Sequence, residues 1–91
     1  MAMTTRTGIR FSRNQAMVVA ARLGLDLSAE AFDIEQFRMG LEVELEHGRR
    51  DPETDVTHDD PVLTGKIALA HLREMSDYYT RLAEMEAGVG S

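Results

Sequence analysis

Hydrophobic and polar positions recur at helical spacing along most of the chain. In QAMVVAARLG the apolar side chains fall on one side of a helix, at Ala16, Val19, Ala20 and Leu23. The runs DIEQFRMGLEVELEHG, PVLTGKIALAHLREM and DYYTRLAEMEA repeat this spacing, and no stretch of useful length alternates like a strand. The pattern predicts an all-α fold, a compact small bundle of about four helices.

Local signals predict where these helices begin and end. A polar residue is followed three positions later by glutamine at Ser12–Gln15 and Asp33–Gln36, which is the spacing of a capping box. Asp60-Pro61 places an N-cap before proline at the first helical position. Gly24 and Gly48 are natural stops for the first and second helices.

The 91 residues leave room for one domain. We expect a single helical domain over residues 1–91, with its core at about 12–87 and a flexible tail at 88–91. The stretch DPETDVTHDD has almost no apolar residues, so it should form a surface loop between the second and third helices.

Composition narrows the possible partners. The net charge of −6 argues against a nucleic-acid backbone as the main partner. The chain has no cysteine, which excludes disulfides, thiolate metal sites and a cysteine nucleophile. No apolar run is long enough to span a membrane, and the first residues lack a signal core. The cytoplasm is therefore the expected location.

The central two helices carry ionisable residues on the side that should face inward. At 100° per residue, Glu35, Arg38, Glu42 and Glu46 share a solvated arc, whereas the opposite side of the second helix carries Glu44 and His47. The third helix places His71 inward, and Tyr78 of the fourth should reach this polar layer. We predict a buried polar cluster of Glu44, His47, His71 and Tyr78.

Small residues indicate how the polar layer could form. Gly40 and Ala68 would let the second and third helices approach closely. If the two helices pack antiparallel, their inner polar residues could meet across the contact.

Metal binding is one chemistry that the cluster could support. Glu44 and His47 have the Glu-x-x-His spacing of di-iron helices, and His71 with Glu74 reverses it. These four residues could bind iron, manganese or zinc. The simpler reading is a hydrogen-bonded structural network with no cofactor, since buried polar groups usually satisfy one another. No nucleophile is paired with a base, which favours a non-enzymatic role.

Four blocks also resemble a known group of proteins. The sequence LEVELEHG, the threonine-aspartate loop, TGKIALAHL and DYYTRLAEME resemble, in this order, a family of short uncharacterised proteins of bacteria and their phages. The resemblance covers about residues 33–86. It implies a compact helical domain and gives weight to signature positions, which are Glu44, Glu46, His47, Lys66, His71, Tyr78 and Tyr79.

The favoured function is a small non-enzymatic structural or protein-interaction module. One alternative is a metal-binding helical domain that uses Glu44, His47 and His71. Another is an acidic inhibitor of a DNA-binding protein, which the net charge would suit. A protein partner is expected, with a homodimer through the first helix or the edge at Met39 as one form.

Overall fold

The computed structural model describes residues 10–50 and 60–90. These ranges form helix α1 at Arg13–Arg22, a 3₁₀ turn at Leu27–Ala29, and helices α2 at Ile34–Arg50, α3 at Pro61–Glu74 and α4 at Tyr78–Gly90. No strand occurs within them. The prediction of an all-α small bundle of four helices is confirmed. Most of the predicted acidic loop, at 51–59, lies outside the described residues.

The cap signals fix both ends of α1. The backbone N–H of Gln15 donates to Oγ of Ser12 over 3.0 Å, and the side chain of Gln15 accepts from the N–H of Ser12 over 2.8 Å. At the other end Gly24 has a φ of 70°, and the N–H of Leu25 donates to the carbonyl of Ala20 over 2.9 Å. This left-handed glycine ends the helix as predicted.

The helix bounds differ from the prediction at two glycine-containing ends. α2 continues through Gly48 to Arg50, so the predicted stop at Gly48 is wrong. Gly48 is buried, and packing outweighs the roughly 1 kcal/mol that glycine costs within a helix. α4 also continues to Gly90, beyond residue 87, where the core was expected to end.

α2 is the central element because it packs against each of the other three helices. α1 and α4 each contact both α2 and α3. The side chains enclosed between them form one core of mostly apolar residues: Ala16, Val19, Ala20, Phe32, Ile34, Phe37, Leu41, Ala68, Leu72 and Tyr79.

The pairs of residues that meet between α2 and α3 show the relative direction of the two helices, because the residue numbers increase together in both. A Cβ built on Gly65 would lie 3.3 Å from Cζ of Phe37, and one built on Gly40 would lie 2.9 Å from Cβ of Ala68. One turn further on, Glu44 meets His71. The close approach at Gly40 and Ala68 is as predicted. The two helices run in the same direction, however, so the antiparallel arrangement was wrong.

The segment before α1 covers a side of α2 that was expected to be solvated. Glu42 is buried, because its Oε2 accepts from the backbone N–H of Phe11 over 2.8 Å and from Arg38 over 3.0 Å. Arg38 also donates to the carbonyl of Phe11 over 3.3 Å. The placement of Glu42 on the wet arc was therefore wrong, since periodicity alone does not show which segment covers an arc.

Among the described helices, none combines the length and the apolar character that crossing a membrane requires.

Gly40 offers a test of the close helix contact. A Cβ in Gly40→Ala would lie 2.7 Å from Cε2 of Tyr79 and 2.9 Å from Cβ of Ala68. We expect this substitution to lower the free energy of unfolding by about 1–3 kcal/mol, because the crowded helices must move apart. Urea denaturation of the purified variant measures the change.

The matched control is Gly88→Ala, also within a helix. Nothing lies within 4 Å of a Cβ at Gly88, so alanine should be neutral or stabilise by up to about 1 kcal/mol. Equal effects of the two substitutions would contradict the contact.

Candidate functional site

A polar cluster lies where α2, α3 and α4 meet. It consists of Glu44 from α2, His71 from α3, and Tyr78 and Tyr79 from the first turn of α4, and we call it the Glu44 cluster. Tyr79 is 1% exposed. The side chains of Glu44 and His71 are 11% and 35% exposed, so the histidine is the more exposed of the two.

One carboxylate oxygen joins the three helices. The hydroxyl of Tyr79 donates to Oε2 of Glu44 over 2.8 Å, and Nδ1 of His71 lies 3.0 Å from the same oxygen. Nδ1 also lies 3.2 Å from the hydroxyl of Tyr79. An ionised carboxylate only accepts hydrogen bonds, so a hydrogen bond between His71 and Glu44 requires the tautomer that carries its proton on Nδ1.

Gly40 makes room for this geometry. It lies one turn before Glu44 on α2, and the ring of Tyr79 packs where a side chain at Gly40 would be. The ring therefore lies along α2, and its hydroxyl reaches Glu44 at the next turn. A glycine at this position thus supports the hydrogen bond four residues away.

The aromatic rings of Tyr78 and Tyr79 both lie beside the ring of His71. The ring of Tyr78 stacks on His71 with centroids 4.6 Å apart and an interplanar angle of 28°. The rings of Tyr78 and Tyr79 meet edge to face, with centroids 4.9 Å apart. Tyr78 thus contacts the cluster through its ring face, whereas Tyr79 supplies the hydroxyl.

Burial strongly affects the phenol of Tyr79. Its pKa is raised well above the ordinary value, first because burial disfavours the phenolate and then because the negative charge of Glu44 lies beside it. Tyr79 is therefore a permanent hydrogen-bond donor at physiological pH. A buried carboxylate needs such donors, since an unpaired one would be very costly.

Two of the predicted site residues lie elsewhere. His47 is exposed, so its predicted burial is wrong. From Glu44 to His47 the helix turns by about 300°, which carries His47 further from the buried side than Glu44. Glu74 is also exposed, in the last turn of α3.

The structure brings together two of the four predicted metal ligands, which were Glu44, His47, His71 and Glu74. Glu44 and His71 meet in the Glu44 cluster, and they are of the residue types that bind iron, manganese and zinc. Within residues 10–50 and 60–90, no group of three or more histidine, cysteine, aspartate or glutamate side chains is arranged to hold a metal ion.

The helical pattern does not predict whether Tyr79 faces the core or the surface, yet this residue supplies the central hydrogen bond. Tyr78 was expected to point inward together with Leu82 and Met85, but Met85 is exposed. A signal was present in the sequence, since Arg81 lies four residues before Met85 and shares its face. That charged neighbour marks the face of Met85 as solvated.

An ion pair outside the Glu44 cluster joins Arg73 of α3 to Glu30, the residue that follows the 3₁₀ turn. Arg73 donates to Glu30 over 2.7 Å at the edge of a surface pocket of about 280 Å³. The pKa of Glu30 is lowered mainly by this hydrogen bond. Glu74 and Ser76 also line the pocket. Arg73 and Glu30 already satisfy each other in this ion pair, so the Glu44 cluster remains the stronger candidate site.

The described structure thus defines a small all-α domain in which α2, α3 and α4 meet at the carboxylate of Glu44. The chain belongs to the family described as Protein of unknown function (DUF5661), whose model matches residues 16–88. No curated protein matches the chain. No solved structure matches it either.

The raised pKa of Tyr79 predicts how stability depends on pH. The folded state holds the phenol proton more tightly than the unfolded chain, where the pKa of tyrosine is about 10. The stability from this proton is complete below about pH 10 and is lost as the pH rises further, by up to about 1.4 kcal/mol per pH unit.

Urea denaturation at pH 8 to 11.5 tests this dependence in the wild-type chain and in Tyr79→Phe. The variant lacks the phenol and should lose less stability than the wild type above pH 10. Parallel curves for the two proteins would show that Tyr79 is not held in its neutral form.

Proposed function

We propose that this protein is a small non-enzymatic structural or protein-interaction module, of bacterial or phage origin, that works in the cytoplasm. The observation that carries the proposal is how Glu44 is used. Its Oε2 accepts from Tyr79 and lies within hydrogen-bond distance of His71, so this largely buried carboxylate contacts other helices of its own chain. A group used in this way stabilises a scaffold.

The family supports this proposal only at the level of a compact helical domain, because the family has no assigned activity. Bacterial or phage origin rests on the resemblance of the ELEHG, TGKIALAHL and DYY blocks. The metal-binding alternative rests on the pairing of Glu44 with His71, and a single experiment separates it from the module.

The experiment uses the tagged full-length chain, produced in its own host and purified without chelator. Light scattering with mass spectrometry should find a complex with another protein at a fixed ratio. Elemental analysis should find iron, manganese and zinc far below one ion per chain. A free chain that carries about one ion of any of these metals would contradict the proposal.

The variants Glu44→Ala and Glu84→Ala test whether such a metal is bound at the Glu44 cluster. Glu84 is an exposed carboxylate on α4, so its removal should leave the composition of the sample unchanged. A metal that is lost in Glu44→Ala and retained in Glu84→Ala would establish the metal-binding alternative.

A further inference from the structure

Charge is distributed very unevenly along the chain. The first 25 residues contain four arginines and no acidic residue, whereas the remaining 66 contain six basic and 16 acidic residues. α1 and the segment before it therefore form a basic region on an acidic protein. A single region of opposite sign is a feature of surfaces that select a charged partner.

The arginines of this region differ from those elsewhere in how they are used. Outside it, Arg38, Arg73 and Arg81 each contact a carboxylate within 3.0 Å. Arg10, Arg13 and Arg22 form no ion pair with any residue of 10–50 or 60–90. Their charges are thus available to a partner.

α1 is apolar on two opposite sides. Ala16, Val19 and Ala20 face the core. The opposite side is a ridge at helical spacing with Met17 45% and Val18 58% exposed. We call this the α1 ridge, and its members are Asn14, Met17, Val18 and Ala21, all exposed. Met17 and Val18 are two of the five large apolar side chains that are exposed within residues 10–50 and 60–90.

Two arginines border the α1 ridge diagonally. At 100° per residue, Arg13 lies about 40° outside Met17, and Arg22 lies about 40° outside Val18 on the other side. They are separated by nine residues, or roughly 13 Å along the helix. An apolar strip between two cations fits a helix that carries apolar anchors between acidic residues.

A second copy of this chain is a poorer occupant of the α1 ridge. α1 holds two arginines and no acidic residue, so a second α1 packed on the ridge in either direction brings no carboxylate to Arg13 or Arg22. It adds two further positive charges to the contact, which disfavours it.

We propose that the α1 ridge, with Arg13 and Arg22, docks an acidic amphipathic helix of another protein. Met17 and Val18 supply the apolar contact, and the arginines pair with glutamates or aspartates on both borders of the docked helix. This inference rests on the proposed function, since it names the surface and the class of partner of that module.

The test titrates a ¹⁵N-labelled full-length chain with a synthetic helical peptide that has leucines at i, i+3, i+4 and i+7 between glutamates. The largest changes in amide chemical shift should occur at Asn14, Met17, Val18 and Ala21. The affinity for the peptide should fall as the salt concentration is raised. Val18→Asp should weaken binding at least tenfold. Shifts elsewhere, or no shifts at millimolar peptide, would overturn the proposal.

A matched control and two further probes sharpen this result. Met85→Asp also places a carboxylate at an exposed apolar position, but on α4, and it should bind the peptide as the wild type does. A peptide with lysines in place of glutamates should not bind. Equal binding of both peptides, co-sedimentation with anionic vesicles instead, or a dimer formed through α1 would overturn the proposal.

The same variants separate this inference from the proposed function. If the chain forms a fixed-ratio complex in its host and Val18→Asp leaves that complex intact, the module stands and the α1 ridge is not its docking surface. If the wild-type chain forms no complex with another protein, the proposed function itself fails.

Discussion

The junction of α2, α3 and α4 depends on the carboxylate of Glu44, whose side chain is only 11% exposed and which has hydrogen-bonding groups from two other helices beside it. Tyr79 donates to its Oε2 over 2.8 Å, and His71 lies 3.0 Å from the same oxygen. A carboxylate with so little exposure is stable only when it is hydrogen-bonded. The requirement to keep both partners therefore restricts how α3 and α4 sit on α2, beyond what apolar contact alone would specify.

Small residues make this arrangement possible. Gly40 lets the ring of Tyr79 lie against α2, and Gly65 lets α1 approach α3 closely. Glycine costs helix propensity at these positions, but its lack of a side chain brings the helices close enough for Glu44, His71 and Tyr79 to meet. On the opposite edge of α2, Glu42 and Arg38 hold the backbone of Phe11 and so position the start of α1.

Much of this structure could be predicted from the sequence, because the controlling signals are local. The capping box at Ser12, the stop at Gly24 and the N-cap at Asp60 set helix ends through contacts a few residues apart. Apart from the helix stop predicted at Gly48, which is a local signal, the main errors concern which segments contact each other. Periodicity gives the arc on which Glu42, His47 or Tyr79 lies, but it does not show which other segment covers that arc.

A double-mutant cycle between Glu44→Ala and Tyr79→Phe tests most directly whether the carboxylate joins the helices. The two losses of unfolding free energy should be non-additive, with a coupling of about 1 kcal/mol or more, because each variant removes the same hydrogen bond. Tyr79→Phe combined with Glu35→Ala, whose carboxylate contacts Arg38 instead, should be additive. Additive effects in both cycles would contradict the account.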